Sequence, residues 1–123
     1  MLKRKLYSQL ASWKASKKRK AFCIIGARQI GKTTLVREFA RNNYEYFAEI
    51  NFITDSKASD IFQQTFDAET IITNLTAYLR QPLEAGKTLI FFDEIQKCPQ
   101  VRTAIKFLVE DGRFDYVESG SLL

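Results

Sequence analysis

The chain has 123 residues, 46% of them hydrophobic, 27% charged and 13% aromatic, with a formal net charge of +5; these are globular values that exclude long disorder, a collagen-like repeat or a disulfide scaffold and leave room for one compact domain. It contains no histidine, which excludes Ser-His-Asp and Cys-His catalysis and most zinc sites. No apolar run approaches the ~20 residues that a membrane-spanning helix needs, and two widely separated cysteines, Cys23 and Cys98, read as reduced thiols of a cytoplasmic protein.

The basic charge is concentrated at the start. Residues 1–20 hold eight of the 19 basic residues and no acid, whereas acids outnumber bases in the remainder. Leu2, Leu6, Leu10 and Trp13 recur at roughly helical spacing, so this segment reads as a basic amphipathic helix packed on a core. Its composition also fits an organelle transit peptide or a basic arm that touches nucleic acid. Residues 21–123 form the second unit, in which strand-like and helix-like patterns alternate. Ala21–Ile25 is a short apolar strand.

Immediately after it comes Gly26-Ala27-Arg28-Gln29-Ile30-Gly31-Lys32-Thr33. This is the pattern G-x-x-x-x-G-K-T, a phosphate-binding loop. Its glycines let the backbone curl so that N–H groups converge on phosphate oxygens, and the following helix adds the positive end of its dipole. Lys32 can reach the β- and γ-phosphates, and the Thr33 hydroxyl can coordinate Mg²⁺. Thr34 closes the nucleotide-contacting stretch as a first-turn helix residue. The helix runs over Thr33–Arg41, with Leu35, Val36, Phe39 and Ala40 on one face.

Tyr44–Ile53 alternates as a strand, and Lys57–Phe66 reads as a short helix. Asp67 is placed to cap a helix reaching Arg80, whose apolar stripe is Ala68, Ile71, Ile72, Leu75 and Leu79. After the breakers Pro82 and Gly86, Lys87–Phe92 reads as a buried strand that ends in the carboxylates Asp93 and Glu94. Ligands of open α/β sheets bind at the carboxyl ends of strands, so Asp93 is expected near the phosphate loop. There it can hold Mg²⁺, and Glu94 can polarise an attacking water. Pro99 opens a further helix with Val101, Ala104, Ile105, Leu108 and Val109 as its apolar face, and Gly112 ends it. Phe114–Ser119 is the fourth strand. Ser119, ahead of Ser121, offers a hydroxyl for the γ-phosphate or the water. Arg28, Arg102 and Arg113 could each meet phosphate or a partner, but singly they read first as exposed arginines. Strands alternating with helices predict an α/β domain with a mostly parallel sheet covered on both faces.

These motifs together resemble a family. Gly26–Leu35, Phe91–Gln96 and Asp111–Leu123 match the GxRQxGKTTL, FFDEIQ and DGRxDxxxxGSLL segments of a group of prokaryotic AAA-type P-loop ATPases. The resemblance covers essentially the whole chain. It implies a three-layer α/β/α P-loop NTPase fold that binds ATP and Mg²⁺. It makes Lys32 and Thr33 Walker A residues, Asp93 and Glu94 Walker B residues, and Ser119 the polar sensor at the tip of the fourth strand. Members of the group continue with a fifth strand, a helical lid and usually a C-terminal domain of unknown function, so residues 21–123 are expected to be an incomplete core. Its expected partners are then ATP and the rest of a longer chain, and a second sensor and an arginine finger would come from that part or from a neighbouring subunit of an oligomer.

The leading expectation is Mg²⁺-dependent ATP hydrolysis coupled to conformational change in a larger protein. A nucleotide-binding module without turnover, a small-molecule P-loop kinase and a nucleic-acid-binding basic arm are the alternatives. The chain has no guanine-reading NKxD motif, which leans toward ATP.

Overall fold

A computed structural model describes residues 2–16, 20–25 and 31–120. The elements in chain order are α1 (Leu2–Ala15), β1 (Phe22–Ile25), α2 (Lys32–Asn43), β2 (Tyr46–Asn51), a 3-10 helix (Ser56–Phe62), α3 (Ala68–Leu79), β3 (Thr88–Asp93), a 3-10 turn (Ile95–Lys97), α4 (Gln100–Asp111) and β4 (Asp115–Gly120). The strands lie in the order β1-β4-β3-β2, and every neighbouring pair is parallel.

That order dictates where the helices go. Parallel connections are right-handed. The step from β1 to β2 crosses the sheet one way, and the steps from β2 to β3 and from β3 to β4 come back. Helix α2 therefore packs on one face and α3 and α4 on the other. The first face buries Leu10, Val36, Phe39, Leu89, Phe91 and Val117. The second buries Ile50, Phe62, Ile71, Leu75, Phe92 and Tyr116 among others. Every residue of β3 is buried, because β3 is central and covered on both sides, which is why its sequence is a continuous apolar run.

Local chemistry sets the ends of the elements. Asp67 caps α3, its Oδ2 accepting from the Thr70 N–H at 3.0 Å and the Thr70 hydroxyl at 2.6 Å. Gly112 ends α4 at φ 81°, in the left-handed region that glycine enters without steric cost. Several ends differ from the sequence reading. The second strand stops at Asn51, whose side-chain oxygen accepts from the Ile53 N–H at 2.8 Å and turns the chain. The segment expected as a helix over Lys57–Phe66 is a 3-10 helix ending at Phe62, and Phe66 is exposed. The third and fourth strands each run one residue further than expected, to Asp93 and Gly120.

Helix α1 packs beside α2. Leu10 is fully buried, the Tyr7 ring meets Phe39 edge-on at 5.4 Å, and the Trp13 indole N–H donates to the Lys20 carbonyl. The N-terminal helix ends at Ala15, short of residue 20, and residues 17–19 of the basic run lie outside the described residues. Removing the buried Leu10 side chain should cost about 2–5 kcal/mol. Leu10→Ala is therefore expected to lower the melting temperature by several degrees in circular dichroism; an unchanged melt would mean α1 is an arm and not part of the core.

One carboxylate is buried on the α4 side. Glu118 sits 3.4 Å from the Arg102 guanidinium, yet its Oε1 accepts no hydrogen bond among the described residues. Burial pushes its carboxyl above the ordinary value of 4.5, with Arg102 and Cys23 pulling partly back. Burial, and then the Glu118 charge, push the Cys23 thiol up as well, which disfavours the reactive thiolate. A carboxyl raised in the folded state contributes stability that is complete below its unfolded pKa and is lost as pH rises through the folded one. Melting temperature should accordingly fall from about pH 4.5 upward relative to Glu118→Gln, and parallel pH curves for the two proteins would refute this.

Candidate functional site

The carboxyl ends of β1, β4 and β3 form the crevice where connections leave the sheet toward opposite faces, the position at which open α/β sheets hold ligands. β1 ends at Ile25 and α2 begins at Lys32. Of the loop between them, Gly26, Ala27, Arg28, Gln29 and Ile30 lie outside the described residues. Gly31 stands at the N-cap of α2 with φ 92° and supplies no side-chain cap. Its carbonyl accepts the first helical bond, from the Leu35 N–H at 2.8 Å. The first-turn N–H groups of Lys32, Thr33 and Thr34 precede that bond and carry the positive end of the helix dipole.

Thr33 faces the end of β3, where its hydroxyl donates to Asp93 Oδ2 at 3.3 Å. Asp93 is 6% exposed, and the Glu94 N–H donates to its other oxygen at 2.9 Å. Burial is the largest influence on the Asp93 carboxyl and pushes it up. The Glu94 N–H bond pulls it down, the Glu94 charge adds to the rise, and the Thr33 hydroxyl and Lys32 lower it. Ser119 is fully buried, and its hydroxyl has no hydrogen-bond partner among the described residues. Phe92 pairs with Glu118, so the next residues of the two strands, Asp93 and Ser119, both lie on the α2 face of the sheet. Lys32, Thr33, Asp93 and Ser119 are thus brought to one end of one face.

Glu94 follows directly, in the left-handed conformation at φ 58°, and its Oε1 accepts from the Gln96 side-chain amide at 2.7 Å. Thr34 is exposed on the other side of the α2 first turn, on a cavity of about 340 Å³ shared with Arg4, Tyr7, Ser8, Leu35 and Glu38. Arg102 and Arg113 stay away from the crevice. Arg102 lies beside Glu118, and Arg113 pairs with Asp111 at 2.9 Å. Sequence reasoning did not single out Gln96 as a site residue, nor the ion pair of Arg37 with Glu49, whose two bonds of 2.7 and 2.8 Å tie α2 to β2. A helix residue and a strand residue twelve positions apart carry no local signal for the second; the first had a signal, a polar residue two positions after a candidate catalytic carboxylate.

The donors suit Mg²⁺. A hydroxyl and a carboxylate are hard oxygen ligands, and a buried carboxylate pushed up by desolvation is one that a cation would hold ionised. No group of three acidic, cysteine or histidine side chains gathers among the described residues. If Thr33 and Asp93 held Mg²⁺, water and phosphate oxygens would supply its other ligands, in keeping with an ion that usually keeps several waters.

Comparison with known proteins agrees with this architecture. The family model described as AAA domain matches residues 18–123. None of the curated proteins matches the sequence. Among solved structures the Orc1 protein of Aeropyrum pernix, determined in complex with DNA, is similar with a TM-score of 0.55 at 18% identity. The match covers 98% of this chain and 38% of that one, so the chain spans well under half the length of that protein. At this identity the likeness is one of fold: the four-stranded parallel sheet with helices on both faces.

Proposed function

The chain belongs to the AAA domain family, and from that premise we propose that it binds ATP with Mg²⁺ and hydrolyses it, with the hydrolysis coupled to conformational change in a larger protein. The observation that carries this reading is the 3.3 Å contact between the Thr33 hydroxyl and Asp93. It joins the first turn of the phosphate-loop helix to the end of the central strand, beside the Ser119 hydroxyl, which has no hydrogen-bond partner among the described residues.

Each group has a role that its position suits. Lys32 and the first-turn amides of α2 hold the phosphates, together with the loop Gly26–Ile30. Thr33 and Asp93 hold Mg²⁺, which when bound neutralises charge that builds on the phosphate oxygens. Glu94 accepts a proton from the attacking water, or polarises it, from the end of β3. The Ser119 hydroxyl, buried and without a hydrogen-bond partner among the described residues, donates to the γ-phosphate or positions the water. Leaving such a group unpaired costs about 1–3 kcal/mol, a cost that a bound phosphate removes.

Calorimetric titration of ATP into the chain, with Mg²⁺ and then with chelator, tests the reading. Micromolar binding that weakens on chelation is the expected result. A folded chain that takes up no ATP under either condition would overturn it.

A further inference from the structure

The 3-10 turn after β3 does something the nucleotide reading leaves unexplained. Glu94 turns the chain through positive φ, Ile95 drops into the core at 3% exposure, and the Gln96 side chain comes back over the sheet end. There its Nε2 donates to Glu94 Oε1 at 2.7 Å. Its other end, Oε1, lies over Gly120, the last residue of β4. A Cβ at position 120 would meet Gln96 Oε1 at 2.7 Å and Ile95 Cγ1 at 3.0 Å. Gly120 lacks a side chain in the one place where Gln96 needs room. Its φ is not positive, so backbone freedom does not account for a glycine there.

We propose that Gln96 is a positioning residue that holds the Glu94 carboxylate where it can take a proton from the attacking water, and that Gly120 is the seat that lets it do so. The proposal rests on the reading of Glu94 as the water-activating group. A carboxylate on a left-handed turn at a strand end has several rotamers within reach of solvent. A donor 2.7 Å away selects one of them, and a charge-assisted bond is the strong kind. Misplacing a reacting group by about an ångström can cost as much as ~10²-fold in rate. The arrangement also ties two segments distant in sequence, 94–96 and 120, into one bracket. β4, which carries Ser119, and β3, which carries Asp93, thereby fix Glu94 jointly.

Shape and hydrogen bonding can be separated by substitution. Gln96→Met keeps the length and packing and removes the donor. Gln96→Glu keeps the shape and places a second carboxylate against Glu94. Gly120→Ala clashes first with the far end of a flexible side chain, so Gln96 should move and the backbone should stay. Single-turnover hydrolysis of Mg-ATP by each variant is expected to slow about tenfold or more, with ATP affinity within about twofold of wild type. A wild-type rate in Gln96→Met would overturn the proposal, because packing alone would then explain the residue. Glu94→Gln separates the two failures: a wild-type rate there overturns the role of Glu94 itself and this inference with it. A measurement independent of turnover is the Gln96 side-chain amide resonance, identified by its loss in Gln96→Met. It should shift in both Glu94→Ala and Gly120→Ala, and an unmoved resonance in either would overturn the bracket.

Discussion

Lys32→Ala should weaken ATP binding by about 30-fold or more while leaving the chain folded. The ammonium group sits on the first residue of α2, half-buried and close enough to Asp93 to lower that carboxyl. Its work is electrostatic. Truncating one partner of a close charge pair costs about 2–5 kcal/mol, which corresponds to roughly 30- to 5,000-fold in affinity. The N–H groups of the helix first turn remain in the variant, so residual weak binding is expected. The fold has no comparable stake in Lys32, because α2 is held by Leu35, Val36, Phe39 and Ala40 in the core and by the Arg37–Glu49 pair at its side. Titration calorimetry beside a thermal melt distinguishes the cases. Unchanged affinity in a folded variant would place the phosphates somewhere other than the α2 N-terminus. Loss of folding would show that Lys32 balances Asp93 in the unliganded protein, which would be a stability role.

The parts of this molecule legible in the sequence are those where one local rule decides. Continuous apolar strands, the 3.6-residue stripes of α2, α3 and α4, the Asp67 cap and the Gly112 stop each follow from a few adjacent residues, and the structure places them within a residue or two. The Gly31-Lys32-Thr33 segment and the Asp93-Glu94 pair were legible for a related reason: their chemistry depends on residue type at a fixed distance from a strand end, and the parallel topology then brings the strand ends together. Strand order was not legible, since nothing in β1 says that β4 and not β2 will pair with it. The 3-10 turn at 95–97 was missed because its cause is the positive φ of Glu94, a residue type with no local preference for it. The seat of Gln96 on Gly120 was missed for a similar reason. Gly120 in the sequence looks like a turn glycine, and only the position of a side chain 24 places earlier in the chain shows that it is a strand residue kept small.

Glu94→Gln should retain ATP binding and lose turnover by about 10²–10⁴-fold, the usual worth of a positioned acid or base. The substitution is nearly isosteric. Its amide oxygen can still accept from Gln96, its N–H still donates to Asp93 Oδ1 as in the native chain, and the Thr33–Asp93 contact is untouched. The missing property is the carboxylate's capacity to take a proton from water. Phosphate contacts are made by other groups, so the affinity for ATP in the presence of Mg²⁺ should stay close to wild type while the single-turnover rate collapses. That split marks an interaction made in the transition state and not in the ground state. The same assay, run without any acceptor molecule, bears on the kinase alternative. Water is the acceptor if ADP and phosphate appear together in equal amounts, whereas ADP that appears only when a small molecule is supplied would reassign Glu94 to activating that molecule's hydroxyl. Should wild type and Glu94→Gln both bind ATP and neither release phosphate, the chain acts as a nucleotide-binding module, and the transition-state charge must be met by a group such as an arginine finger, whose contribution of ~10³–10⁵ in rate is large enough to account for the difference.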